Sequence, residues 1–249
     1  MSENHYNLVI GGSSGVGRAL VQELVAREES VMVVARHQRD LKALQEDCYI
    51  RYGKSIKINE IDVQASEFDA NKFLENCHKE INCFKKIFIP LGVIDEEDRG
   101  VPRTDLIERL NKVNYLRPAQ IISAYCNKFR KSDGGQIIIF TSITTAAPRG
   151  NNIAYASAKM ALEFYCQALQ HYFAESKTKI IICALGYVDT SMSFGLELKF
   201  PMVSPEKAAS FVLQMSDRNT RLAYFPRYWW FVTMLLRFLP WFLYRRLKF

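Results

Sequence analysis

Tyr155 and Lys159, in the run Tyr155-Ala156-Ser157-Ala158-Lys159, are the side chains best placed to do chemistry. Residues four apart share one face of a helix, so phenol and ammonium are neighbours. A phenol with a reference pKa near ~10 is a poor acid–base catalyst at neutral pH, and a fixed cation beside it favours the phenolate and lowers that value. Tyr155 can then protonate a developing alkoxide, or deprotonate an alcohol in reverse. Ser142 follows the apolar run Gln136–Phe140, where its hydroxyl can hold the substrate oxygen. A Tyr-x-x-x-Lys also arises by chance in many helices, so the rest of the chain has to decide.

A second constellation lies near the start: Gly11-Gly12-Ser13-Ser14-Gly15-Val16-Gly17-Arg18, after a short apolar run and opening a helix-like stretch. Glycines permit a tight turn and let backbone N–H groups approach a pyrophosphate at the positive end of a helix. The next apolar run ends Val34-Ala35-Arg36-His37, where an NAD-preferring fold places an acid for the ribose hydroxyls. The guanidinium of Arg36, aided by Ser13, suits a 2′-phosphate, so NADP(H) is expected over NAD(H). The bland alternative is an arginine solvated at a strand end.

Such groups need a scaffold that brings them together. Apolar, β-branched runs at Leu8–Ile10, Val31–Ala35, Ile56–Ile61, Lys86–Ile89, Gln136–Phe140 and Lys179–Leu185 alternate with helical patterns at Gly17–Glu28, Arg39–Tyr52, Glu67–Glu80, Ile107–Lys128, Ile153–Ser176 and Pro205–Met215. Strands apolar throughout and joined by helices predict a doubly wound parallel α/β sheet, which binds ligands at the carboxyl ends of its strands. The acidic cluster Asp95, Glu96, Glu97, Asp98 reads as a solvated loop. Six cysteines show no zinc spacing, and the four histidines are scattered, so no metal site is expected. Reduced thiols and a polar start without a secretory pattern point to a cytoplasmic protein.

The combination Gly11-x-x-x-Gly15-x-Gly17, Asn114, Ser142 and Tyr155-x-x-x-Lys159 resembles the short-chain dehydrogenase/reductase family in its single-domain form. That resemblance implies a Rossmann-like sheet of about seven strands and hydride transfer between a nicotinamide and a carbonyl or alcohol carbon. It implies that Asn114 completes a catalytic tetrad by holding a water in the proton relay, and that Lys159 also bonds the nicotinamide ribose. Asp62-Val63 is similar to the family's adenine-contacting pair, against the alternative that Asp62 is a cap or turn residue. Gly186, Val188 and Thr190, in Leu185-Gly186-Tyr187-Val188-Asp189-Thr190-Ser191-Met192, resemble the segment that orients the nicotinamide. There are two departures. Ile89-Pro90-Leu91-Gly92 replaces an Asn-Asn-Ala-Gly motif and keeps only Gly92, so other groups must supply the hydrogen bonds of the missing asparagines. Leu185 stands where the family has proline.

The chain has 249 residues, 49% of them hydrophobic, and a net charge of +7. Residues 218–249 hold seven cations (Arg218, Arg221, Arg227, Arg237, Arg245, Arg246, Lys248) and no acid, so residues 1–217 carry 26 charges of each sign. A protein-wide basic field of the nucleic-acid-binding kind is excluded. The sequence divides into an NADP(H)-binding catalytic domain, 1–217, and a basic tail, 218–249, containing all three tryptophans. Arg237 and Pro240 interrupt the tail too soon for a membrane span. Aromatics with arginines suit contact with the surface of an anionic membrane, and the alternative is a tail folded over the cleft or a neighbouring subunit.

These readings lead to an NADPH-dependent carbonyl reductase, reversible as an alcohol dehydrogenase. Phe194, Leu196, Leu198, Phe200 and Met202 alternate in a short lid, Ser191 to Ser204, and favour an apolar substrate such as a lipid-like ketone, 3-oxoacyl chain, steroid or retinoid. The alternative is a catalytically idle NADP(H)-binding sensor or scaffold. A sugar epimerase or dehydratase is a third option, disfavoured by length. The resemblance also implies a homodimer or homotetramer, formed through helices around Asn114–Lys128 and Tyr155–Phe173.

Overall fold

Runs such as Leu8-Val9-Ile10 and Ile137-Ile138-Ile139 put apolar side chains on both faces of a strand, and both faces must then be covered. The computed structural model describes residues 5–81, 83–129, 134–194 and 200–247. Its strands are β1 (His5–Ile10), β2 (Ser30–Ala35), β3 (Lys57–Glu60), β4 (Cys83–Ile89), β5 (Gln136–Ser142), β6 (Lys179–Leu185) and β7 (Leu222–Phe225). They form one sheet in the order β3-β2-β1-β4-β5-β6-β7, with every neighbouring pair parallel.

The helices are α1 (Gly15–Ala26), α2 (Gln38–Tyr52), α3 (Ala70–Ile81), α4 (Thr104–Asn111), α5 (Arg117–Phe129), α6 (Ile153–Tyr172), α7 (Pro205–Asp217), α8 (Trp229–Phe238) and α9 (Trp241–Tyr244). Successive strand residues point to opposite faces and enter two cores. Leu8, Ile10, Ile87 and Ile137 pack with Leu74 of α3, Ile122 of α5 and Leu162 of α6. Val9, Phe88 and Ile138 pack with Leu20 and Leu24 of α1, Leu41 of α2 and Val212 of α7. Each such side chain contributes about 1.5–3 kcal/mol of burial free energy.

Chain order reverses at β1, which has β2 on one side and β4 on the other. The crevice beyond the carboxyl ends of β1 and β4 is where an open sheet of this kind receives a ligand. β5 and β6 pair from Gln136↔Lys179 to Ser142↔Leu185, which sets Ser142 beside the Leu185-Gly186 corner at that same end.

Three sequence expectations change. The continuous helix over Ile107–Lys128 is α4 and α5 joined by a π-helical turn, Lys112–Leu116, which carries Asn114. The six apolar runs omitted β7, only four residues long and followed at once by Pro226. Because β7 pairs with β6 inside the sheet, the boundary expected at 217/218 moves: the appendage begins after Phe225, as α8 and α9.

Candidate active site

A continuous trough crosses the carboxyl edge of the sheet. At one end Ser13, Arg36, Asp62 and Val63 form its walls. Gly11, Ser14 and Gly92 lie in the middle, shared by both ends. At the other end stand Gly15, Val16, Gly17, Ser142, Tyr155, Lys159, Gly186, Val188 and Thr190. Of the residues expected in the site, Asn114 alone is not on the wall; it is fully buried behind the loop that carries Gly92.

The glycine turn is shaped by close approach. A Cβ at Gly17 would come within 2.3 Å of the Gly11 carbonyl oxygen, so the turn closes onto α1 only with glycine there. Gly15 holds φ +49° and lies against Thr190, where a Cβ would meet the threonine methyl at 3.2 Å. Ser14, the N-cap of α1, makes no side-chain cap bond, so the first amides of the helix keep their donors for whatever fills the trough. A cradle with no room for a side chain, a helix N-terminus and Arg36 near it together fit a dinucleotide phosphate. Asp62 lines the wall, and its Oδ1 accepts from the Gln64 N–H at 2.8 Å, the turn role that is its alternative.

At the reacting end Tyr155 and Lys159 are both buried on the inward face of α6. The Lys159 ammonium donates to the carbonyls of Leu91, at 2.8 Å, and Phe140, at 3.0 Å. Burial still pulls its pKa from 10.5 down to about 7. Burial also dominates at Tyr155 and raises the phenol, opposed first by a hydrogen bond from Ser142 and then by the charge of Arg149. Lys159, expected to hold the phenol down, is not among the groups that oppose burial at Tyr155. Its ammonium faces two backbone carbonyls, and Ser142 and Arg149 supply the opposing pull. The Ser142 oxygen accepts from the Thr144 N–H at 3.2 Å, which leaves the hydroxyl proton for Tyr155.

The place of the missing asparagines is taken by backbone clamps. Asn114 accepts from the Val93 N–H at 3.1 Å and donates to the Val93 carbonyl at 2.8 Å and the Leu110 carbonyl at 3.0 Å. With Lys159 on Leu91, this pins the segment after β4. Both Asn114 and Lys159 close on Gly92, where a Cβ would lie 3.4 Å from the ammonium nitrogen. The π-helical turn is what swings Asn114 onto that segment; such turns recur at functional sites.

Asp98, read from sequence as part of a solvated loop, is corrected. It is wholly buried, and its two carboxylate oxygens accept from Ala154 N at 3.0 Å and Tyr155 N at 2.9 Å, capping α6 at the turn that bears the phenol. Its backbone carbonyl also accepts from Asn152 N at 2.6 Å. Glu96 and Glu97 are exposed, as expected. A buried cap 57 residues from its helix leaves no local pattern to find. Arg149 was also missed. It lines the trough, and its Nε is buried without a hydrogen-bond partner among the described residues.

The appendage forms part of the wall behind the site. Trp229 of α8 packs on Gly186, where a Cβ would come within 2.2 Å of the indole nitrogen. It also meets Tyr187 edge-on at 5.9 Å and Phe200 at 4.8 Å between ring centres. The Tyr244 hydroxyl of α9 donates to the Pro148 carbonyl, beside Arg149. In the lid, Phe194 is exposed, Phe200 and Met202 are partly so, and Leu196 and Leu198 lie outside the described residues, as does Lys248 of the tail. Among the described residues no cluster of His, Cys, Asp or Glu could hold a metal ion, and no helix is long and apolar enough to cross a membrane.

Comparison with known proteins meets this geometry. A model of the family described as short chain dehydrogenase matches residues 6–198. An uncharacterized oxidoreductase of Mycobacterium bovis is 26% identical over 235 residues, which cover 88% of this chain and 66% of that protein, so the chain spans just under two thirds of the relative's length. A 3-oxoacyl-acyl-carrier-protein reductase of Escherichia coli strain K12 is 24% identical over 204 residues, 78% of each chain. Among solved structures, a short-chain dehydrogenase from Sphingobium yanoikuyae in complex with NADPH superimposes with a TM-score of 0.79 at 18% identity, covering 98% of this chain and 96% of that one, a likeness of fold.

Proposed function

This chain belongs to the short-chain dehydrogenase/reductase family, and from that premise we propose that it is an NADP(H)-dependent oxidoreductase that reduces an apolar ketone or aldehyde, or oxidises the matching secondary alcohol. The observation that carries the reading is one trough with Arg36 at one end and Ser142, Tyr155 and Lys159 at the other. The solved relative from Sphingobium yanoikuyae, which holds NADPH, and the Escherichia coli 3-oxoacyl reductase support the cofactor and the carbonyl substrate class.

When bound, the nicotinamide supplies or accepts the hydride. Arg36 and Ser13 hold the 2′-phosphate, the α1 amides hold the pyrophosphate, and Asp62 and Val63 meet the adenine. Gly186, Val188 and Thr190 orient the nicotinamide, and Lys159 bonds its ribose. Ser142 orients the substrate carbonyl. Burial keeps the Tyr155 phenol protonated at neutral pH, the state a proton donor needs, and it passes that proton to the developing alkoxide. Asn114 acts by pinning the Val93 segment against Lys159 and so organises the relay. Met192 on the trough wall and the exposed Phe194 beyond it favour a lipid-like chain, 3-oxoacyl group, steroid or retinoid.

The proposal includes a cytoplasmic location with reduced thiols, contact of the C-terminal segment with a membrane surface, and a homodimer or homotetramer. Met160, Phe164 and Tyr172, spaced along the outer face of α6, supply an apolar stripe for the subunit contact. The test is NADPH oxidation with a panel of apolar ketones and aldehydes, set against NADH. Turnover with NADPH is expected; binding without turnover across the panel points to the idle sensor or scaffold instead, and a tenfold preference for NADH removes the role of Arg36.

A further inference from the structure

Apart from Thr233 and Arg237, every residue of α8 is apolar. Trp229 and Thr233 face the protein and are buried, while Trp230, Phe231, Leu235 and Phe238 face outward, with Phe238 83% exposed. α9 repeats the division: Tyr244 is buried while Trp241 and Phe242 are exposed. A helix with two apolar faces and only one of them covered calls for a second cover, and contiguous exposed patches of this kind mark interaction sites.

Arg227, Arg245 and Arg246 are exposed at the ends of this two-helix unit, and the sequence from 218 to 249 contains no acid. Arg237 is exposed as well, with its guanidinium 3.7 Å from the buried Glu163 of α6. An isologous contact of the face with itself brings arginines from both copies together with no carboxylate of the segment to answer them. An anionic lipid surface offers both things the face lacks: headgroup charge for the arginines and an acyl boundary for the rings.

Position gives the face its meaning. α8 abuts the Gly186-Tyr187 corner and Phe200 after β6, and α9 abuts Pro148 before α6. These are the two loops that flank the reacting end of the trough. We infer that the outer face of α8 and α9 seats the protein on an anionic bilayer with the substrate mouth beside the lipid, so that the apolar carbonyl enters from the membrane rather than from water. The inference rests on the reductase reading for its substrate and on the exposed face for its docking.

The experiment uses the full chain and three kinds of substitution, all at exposed positions outside the trough: F231D with L235D, R245Q with R246Q, and the four combined. Flotation is measured with vesicles of phosphatidylcholine containing phosphatidylserine and with pure phosphatidylcholine, and mass in solution is measured by light scattering. The native chain is expected to co-float with the anionic vesicles and weakly with neutral ones, and either pair of substitutions should lower binding about tenfold or more. NADPH turnover of a water-soluble ketone without vesicles should stay unchanged, whereas turnover of a vesicle-borne long-chain ketone should fall with binding. Equal flotation of native and substituted chains, or none with anionic vesicles, overturns the inference. A dimer that the substitutions split, with no vesicle binding, assigns the face to self-contact. Failure of the soluble-ketone assay in the native chain would strike the reductase reading and leave the flotation result standing.

Discussion

Helices α1 and α6 both begin on the wall of the trough, yet their first turns are finished differently. α1 starts at a serine that gives no side-chain cap, so its leading amides stay available. α6 starts under Asp98, whose carboxylate takes the amides of Ala154 and Tyr155. One positive helix end is left for a ligand's negative charge, and the other is neutralised by the protein's own. In the proposed reading the first receives a phosphate. The second is a rigid mount for a phenol.

The contrast breaks most sharply at the phenol. Tyr155→Phe is expected to cut turnover by about 10²–10⁴-fold while NADPH still binds, since the α1 end is untouched. Rate assays with fluorescence titration of NADPH check both halves, and retained turnover would sink the assignment. Gly17→Val attacks the other mount. A side chain facing the Gly11 carbonyl should open the turn and weaken NADPH binding about tenfold or more, leaving α6 in place. Normal affinity in this variant would mean that the turn is not the phosphate site.

Asp98→Ala tests the cap. It should lower stability by about 0.5–2 kcal/mol and reduce kcat more than it changes KM, because the phenol drifts while binding surfaces persist. Asp98→Asn, which keeps one acceptor oxygen, should recover part of both. A loss of stability with kcat intact would make Asp98 only structural. The smallest effect is expected at Arg149. Its charge draws the Tyr155 pKa down, so Arg149→Gln lets it rise, and the ascending limb of alcohol oxidation against pH should move to higher pH. A profile that stays in place removes Arg149 from the proton transfer.

What sequence could reveal follows the same division. Buried strands, the glycine turn and the Tyr155/Lys159 pair are written as local patterns, and the sheet assembles around them at the expected places. The π-helical turn at Lys112–Leu116 has no such signature: its residues suit an ordinary helix, and a partner of its Asn114 is Val93, outside the helix. Asp98 sat in a run of four acids that reads as solvent-facing, and two of the four are. Its burial depends on a helix start more than fifty residues away. β7 was too short to stand out from the tail, and the inward packing of Trp229 depends on a glycine forty-three residues earlier in the chain. Local periodicity locates elements; which loop closes over which helix end is decided by tertiary contacts.

Trp229 gives the molecule a built-in optical probe. Of the three tryptophans it alone is buried, at 5% exposure against 48% for Trp230 and 68% for Trp241. An aqueous quencher should silence the outer two and leave its emission. Because its indole lies on Gly186, on the wall where the proposed function would put the nicotinamide, a reduced cofactor should draw that residual light by energy transfer. Filling of the trough and seating of the outer rings in lipid would then read out as separate colours from one chain.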